Sequence, residues 1–90
     1  MTSKERAILR GMASTMDTAL QIGKDGITDK VVASANEYFS THELIKCKVL
    51  DNSLLTSREA CDELSEKTDA EQIQVIGSKF VLYKKLEDKK

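Results

Sequence analysis

The chain has 90 residues, 14 Lys and Arg against 15 Asp and Glu, a net charge of −1, one His and two Cys. A chain this short buries roughly two-thirds of its unfolded surface, which allows one modest core and one domain. The balance of charge excludes nucleic-acid binding by bulk charge, no run of about 18 apolar residues offers a membrane span, and His42 with Cys47 and Cys61 falls short of the four spaced ligands of a structural zinc site.

The opening Met1-Thr2-Ser3-Lys4-Glu5-Arg6 is charged where a secretory signal needs an apolar core, so a cytoplasmic protein is expected. Thr2-x-x-Glu5 has the form of a capping box. Leu9, Met12, Ala13 and Met16 then fall on one stripe, predicting a helix over residues 3–14 with Arg6 and Arg10 on its flank. Thr18-Ala19-Leu20-Gln21-Ile22 alternates and reads as a first strand. It ends at Gly23-Lys24-Asp25-Gly26, a G-x-x-G loop. Thr28 is a good N-cap for a second helix, with Asp29 at its positive end and Val31, Ala35, Tyr38 and Phe39 facing inward. Lys30 lies on the solvent side of that helix.

Residues 44–50 read as a strand with Ile45, Cys47 and Val49 on one face and Lys46 and Lys48 on the other. Asp51-Asn52-Ser53 is turn-like. Thr56-x-x-Glu59 is a second capping box, opening a third helix with an apolar stripe of Ala60, Cys61, Leu64 and Thr68. Residues 56–71 hold two cations and six acids, whereas residues 72–90 hold five cations and two acids. Acids gathered on one outer helix leave room for a basic face elsewhere. Gln72-Ile73-Gln74-Val75-Ile76 alternates, and Gly77-Ser78-Lys79 turns it into Phe80-Val81-Leu82-Tyr83-Lys84, a hairpin. Residues 85–90 are charged and read as a frayed tail.

The order αβαβαββ predicts an α/β fold of two-layer type, a mixed four-stranded sheet with helices packed on it, in a single domain over residues 1–84. Strand–helix–strand units favour parallel neighbours, and the final hairpin is antiparallel.

The loop carries the chemistry. Two glycines beside Lys24 let the backbone approach a ligand closely, and the helix behind them aims its free N–H groups and dipole at the same spot, which suits a phosphate. Asp-Gly alone is also a common turn pair. The Walker spacing is absent, so nucleotide hydrolysis is not expected. Lys46 and Lys48, with Gln72 and Gln74, would make the open side of the sheet polar and basic. Two Tyr and two Phe, mostly core candidates, do not supply a stacking platform, so backbone contact should outweigh base readout. The adjacent pair His42 and Glu43 point to opposite faces of a strand, and no nucleophile with its base can be named. No enzyme, metal or cofactor is expected. Aspartate at both Gly23 and Gly26 is expected to leave the fold intact.

Four segments occur in order along the chain: Leu9-Arg10-Gly11-Met12-Ala13, Gln21-Ile22-Gly23-Lys24-Asp25-Gly26-Ile27-Thr28, His42-Glu43-Leu44-Ile45-Lys46-Cys47-Lys48-Val49 and Val75-Ile76-Gly77-Ser78-Lys79-Phe80-Val81-Leu82-Tyr83. With them the chain resembles stand-alone CRM-domain proteins of the YhbY type, a bacterial group linked to ribosome assembly. The resemblance implies a fold similar to the C-terminal domain of a bacterial translation initiation factor and RNA binding without catalysis. It also implies association, as a monomer, with rRNA in precursors of the large ribosomal subunit, with ribosomal proteins as further partners. Carried over residue by residue, the RNA loop falls on Gly23, Lys24, Asp25 and Gly26, backed by Thr28 and Lys30. The basic surface falls on Arg10, Lys46 and Lys48, with Lys79 and Lys84. Two departures stand out: the chain is slightly acidic where many relatives are basic, and Asp25 sets a carboxylate inside the phosphate loop. Both point to a folded rRNA site rather than random single strands. The competing reading is a protein-interaction module docking its acidic third helix on a basic partner.

Overall fold

The computed structural model describes residues 2–85, so the expected frayed tail past Lys85 lies outside the described residues. The elements are α1 (Ser3–Ala13), β1 (Leu20–Ile22), α2 (Asp29–Phe39), β2 (Leu44–Val49), α3 (Ser57–Thr68), β3 (Glu71–Ile76) and β4 (Lys79–Tyr83). Each helix starts on a threonine. Thr2, Thr28 and Thr56 accept from the backbone N–H three residues on, and both expected capping boxes close through Glu5 and Glu59. Among the described residues no helix is long and apolar enough to cross a membrane.

The strands form one sheet in the order β1-β2-β4-β3. β1 and β2 are parallel, as a strand–helix–strand unit favours, while β4 runs antiparallel to both β2 and β3. The α3 crossover thus carries the chain two strand positions beyond β2, and β4 returns to fill the gap. The hairpin turn is Gly77-Ser78, with a positive φ of 58° at Gly77 alone. That sign pattern is the one of a type II′ turn, whose twist matches the strands it joins.

The larger core lies on the face covered by α2 and α3, where Ile22, Ile45, Cys47, Phe80 and Leu82 meet Ala35, Phe39, Ala60, Cys61 and Leu64. The place of α1 was not legible in the sequence. It packs on the opposite face, where Ala13, Leu9 and Met16 cover Leu44, Ile73 and Val81. Met12, expected on that stripe, is instead 53% exposed. The expected strict alternation of β3 also fails. A bulge between Gln72 and Gln74 pairs those residues with adjacent partners, Leu82 and Val81. The extra residue, Ile73, drops into the α1 core, and Gln72 turns to α3, where its amide donates to Asp62 Oδ1 (2.7 Å) and Ser65 Oγ (3.1 Å).

Both cysteines are free and buried. Burial and the neighbouring Cys61 push the Cys47 thiol up to about 12, and burial with Asp62 pushes Cys61 up to about 11. Both stay protonated at neutral pH, as small core hydrophobes rather than nucleophiles.

One backbone position is strained. Asp69 closes α3 in the left-handed conformation, φ 60° and ψ 34°, and puts a carboxylate at the negative end of the helix. Asp69→Gly should therefore raise stability by about 1 kcal/mol, seen as a higher urea midpoint with unchanged slope. A lower midpoint would mean that the freedom gained by the unfolded chain outweighs the relief.

Candidate functional site

The G-x-x-G loop is a tight turn in which Gly26 N–H donates to Gly23 O at 3.0 Å. Lys24 and Asp25 stand exposed at its tip, with Lys30 exposed on the first turn of α2 just behind. Thr28 is half-buried, and its hydroxyl accepts from Val31 N–H at 3.2 Å. The glycines are not equivalent. A Cβ on Gly23 would meet nothing within 4 Å, whereas Gly26 has φ +71° and its Cβ would come within 3.2 Å of Leu55 Cδ1. The expectation that both tolerate aspartate is therefore corrected: Gly23 does, and Gly26 serves the backbone of the loop.

At the same end of the sheet a cross-strand row runs Gln21, Lys48, Lys79, Ile76, each opposite the next. Neither Lys48 nor Lys79 pairs with a carboxylate among the described residues. Two like charges directly opposite on adjacent strands destabilise a sheet, and a polyanion would relieve them. Next to this row, between α1 and the β3–β4 hairpin, opens a cleft of about 500 Å³. Arg10, Lys46, Lys79 and Gln74 line it over a floor of Ala13 and Val81, with no acidic residue among the lining. The bulge at Ile73 explains why Gln74 belongs here and Gln72 does not. The open basic side expected of the sheet is thus half covered by α1, and the cations gather in what remains.

Lys46 has a second duty. Its ammonium donates to Ala13 O at 3.1 Å and Met16 O at 3.4 Å, at the negative end of α1. Lys46→Met keeps the aliphatic stem and removes the cap. It should cost about 1–2 kcal/mol and speed amide exchange in α1. Unchanged exchange would mean that α1 is held by its apolar stripe alone.

Lys84 lies apart from the cleft. Its ammonium donates to Thr68 O at 2.8 Å and so closes the C-terminus of α3 on the other face of the sheet. The acids of α3 lie on that other face as well, away from the cleft. One turn before Arg10 on the same flank of α1, Arg6 donates to the Gln72 carbonyl and pairs with Glu71 at 3.6 Å. His42 takes no part in the basic surface: its ring stacks on Tyr38 and Nδ1 bonds Thr41 Oγ1 at 2.8 Å. Among the described residues no cluster of three or more His, Cys, Asp or Glu could hold a metal ion. Ile76, 58% exposed at the mouth of the cleft, is a site residue that the sequence did not single out. Its unmatched apolar side chain on an edge strand was the available signal.

A family model described as the CRS1 / YhbY (CRM) domain matches residues 1–84. A Haemophilus influenzae protein named "RNA-binding protein" is 31% identical over 90 residues, covering 100% of this chain and 91% of its own length. YqeI of Bacillus subtilis, also named for RNA binding, is 30% identical and is covered over 94% of its length. The solution structure of SAV1595 from Staphylococcus aureus, described as a candidate RNA binder, superposes with a TM-score of 0.81 at 37% identity, covering 100% of this chain and 94% of that one.

Proposed function

This chain belongs to the CRS1 / YhbY (CRM) domain family, and on that premise we propose that it is a non-catalytic RNA-binding protein of the cytoplasm. It grips the backbone of folded rRNA and serves the assembly of the large ribosomal subunit. The observation that carries this reading is the gathering of cations at one end of the sheet, around a cleft with no acidic residue among its lining. Lys48 and Lys79 face each other, the cleft brings in Arg10 and Lys46, and the G-x-x-G loop stands at the same end. The names of the relatives support RNA as the ligand. The loop offers the close backbone approach and helix N-terminus that favour phosphate, while four of the six acids of residues 56–71, Glu59, Asp62, Glu63 and Glu66, belong to α3, on the far side. Lys84, bound to α3, plays no part in this surface.

The test is sedimentation of the protein in a bacterial lysate, with and without ribonuclease and at two salt concentrations. Migration with large-subunit precursors that is lost on nuclease treatment and weakens with salt is expected. Protein that stays at the top of the gradient in gentle salt would remove the ribosomal assignment. Within the same design, Gly23→Asp puts a charge in the loop without touching the core and should weaken rRNA binding about tenfold. Full binding by this folded variant would take the loop out of the interface.

A further inference from the structure

Helix α1 has two flanks, and only one is basic. On the flank away from the cleft lies an open groove of about 630 Å³. Leu9, Met16 and Leu44 form its walls, Tyr83 lies at one side, and the stacked rings of Tyr38 and His42, 4.3 Å apart, at the other. Asp17 and Glu43 stand among the lining residues, which include neither Lys nor Arg. Beyond Tyr83 the surface continues past Ile8, beside Glu5 and Glu71, with Lys85 as the cation at its edge. Tyr83 reports this acidic field: burial first, then Glu43, Glu5 and Glu71, raise its phenol above the usual value. Ile8 and Met12, one helical turn apart, are 56% and 53% exposed on this helix. Apolar side chains that have water available yet line up beside a groove mark an interaction surface rather than a scattered residue.

The charge says what kind of partner fits. Carboxylates around the groove repel phosphate, so RNA is disfavoured here although aromatic rings are present. The same carboxylates complement Lys and Arg flanking the apolar anchors of an amphipathic peptide. Met12 and Met16 are unbranched and adapt to the shape of an incoming side chain. We propose that this groove docks a cationic amphipathic segment of a protein partner, leaving the opposite flank of α1 free to hold RNA at the same time. Docking therefore belongs to the α1 groove and not to the acidic face of α3.

The experiment uses the full chain and a short fluorescein-labelled helical peptide of Leu and Lys, with its Leu and Glu counterpart as control. Anisotropy should show binding of the Lys peptide and none of the Glu peptide. Met12→Lys with Asp17→Lys should weaken binding about tenfold, whereas Glu63→Lys with Glu66→Lys, on α3, should leave it unchanged. Met12 and Asp17 are both exposed, and circular dichroism confirms that each variant folds. Three results would overturn the proposal: loss that follows the α3 variant, equal binding by every variant, or rRNA binding that falls in the groove variant. Concentration-dependent dimers of the wild type that the groove variant abolishes would give the groove to a second copy instead. The peptide result does not depend on rRNA binding, so failure of one reading leaves the other standing or falling by itself.

Discussion

Phe80→Ala should cost about 3–5 kcal/mol, the usual range for emptying a phenylalanine site in a packed core. Phe80 is fully buried on β4, opposite Cys47 on one side and Val75 on the other, and it meets α3 through the same core. The loss combines the transfer of the ring to water with a cavity that three surrounding elements cannot all collapse into. A domain this small has a total stability of about 5–13 kcal/mol, so the variant will sit near the edge of folding. Urea unfolding followed by circular dichroism measures the change, and the slope should stay constant while the midpoint falls. Ile76→Ser on the neighbouring strand, mostly exposed, serves as the control and should stay within about 0.5 kcal/mol of wild type. A loss at Phe80 under about 1 kcal/mol would show that the sheet does not depend on this contact.

Lys79→Glu is expected to move stability and RNA affinity in opposite directions. In the wild type Lys48 and Lys79 are opposed across β2 and β4. Reversing one of them turns a repulsive cross-strand pair into an attractive one, worth about 0.2–1 kcal/mol of stability. The same change removes a phosphate contact and adds a repulsion, so rRNA affinity should fall about tenfold and the salt slope should flatten by about one. Reversing Lys48 as well restores the like-charge pair, cancels the gain in stability and takes the affinity loss to about 100-fold. Filter binding at several salt concentrations, beside urea unfolding, separates the two effects. Affinity that survives both reversals would remove the row from the interface.

Local signals were legible in the sequence because local chemistry produces them. The capping boxes at Thr2 and Thr56, the N-cap at Thr28 and the buried stripe of α3 each need only neighbours a few residues away. The mixed sheet followed from element order and the inward face of Ile45, Cys47 and Val49. What escaped depends on distant partners. The side of the sheet that α1 covers is set by Leu44, Ile73 and Val81, and so is the exposure of Met12. The bulge at Ile73 inserts a residue that no alternation pattern reveals, and with it Gln72 leaves the basic side. Lys84 and Lys46 carry the same charge, yet each serves a different helix end, which only the three-dimensional positions of Thr68 and Ala13 decide. Gly23 and Gly26 look alike in the motif, and Leu55, nearly thirty residues on, tells them apart.

The strand order also bears on how the protein is made. β4 is the final element of the described chain and takes an inner place in the sheet, between β2 and β3. On a translating ribosome, α1 through β3 emerge first, but β3 and the edge of β2 that does not pair with β1 have no partner until residues 79–83 clear the exit tunnel. Until then the nascent chain exposes two unpaired strand edges and the apolar faces meant for Phe80 and Leu82, an open invitation to mispairing. Nascent chains arrested before residue 79 should stay protease-sensitive, and resistance should arise in a single step once the last strand is free.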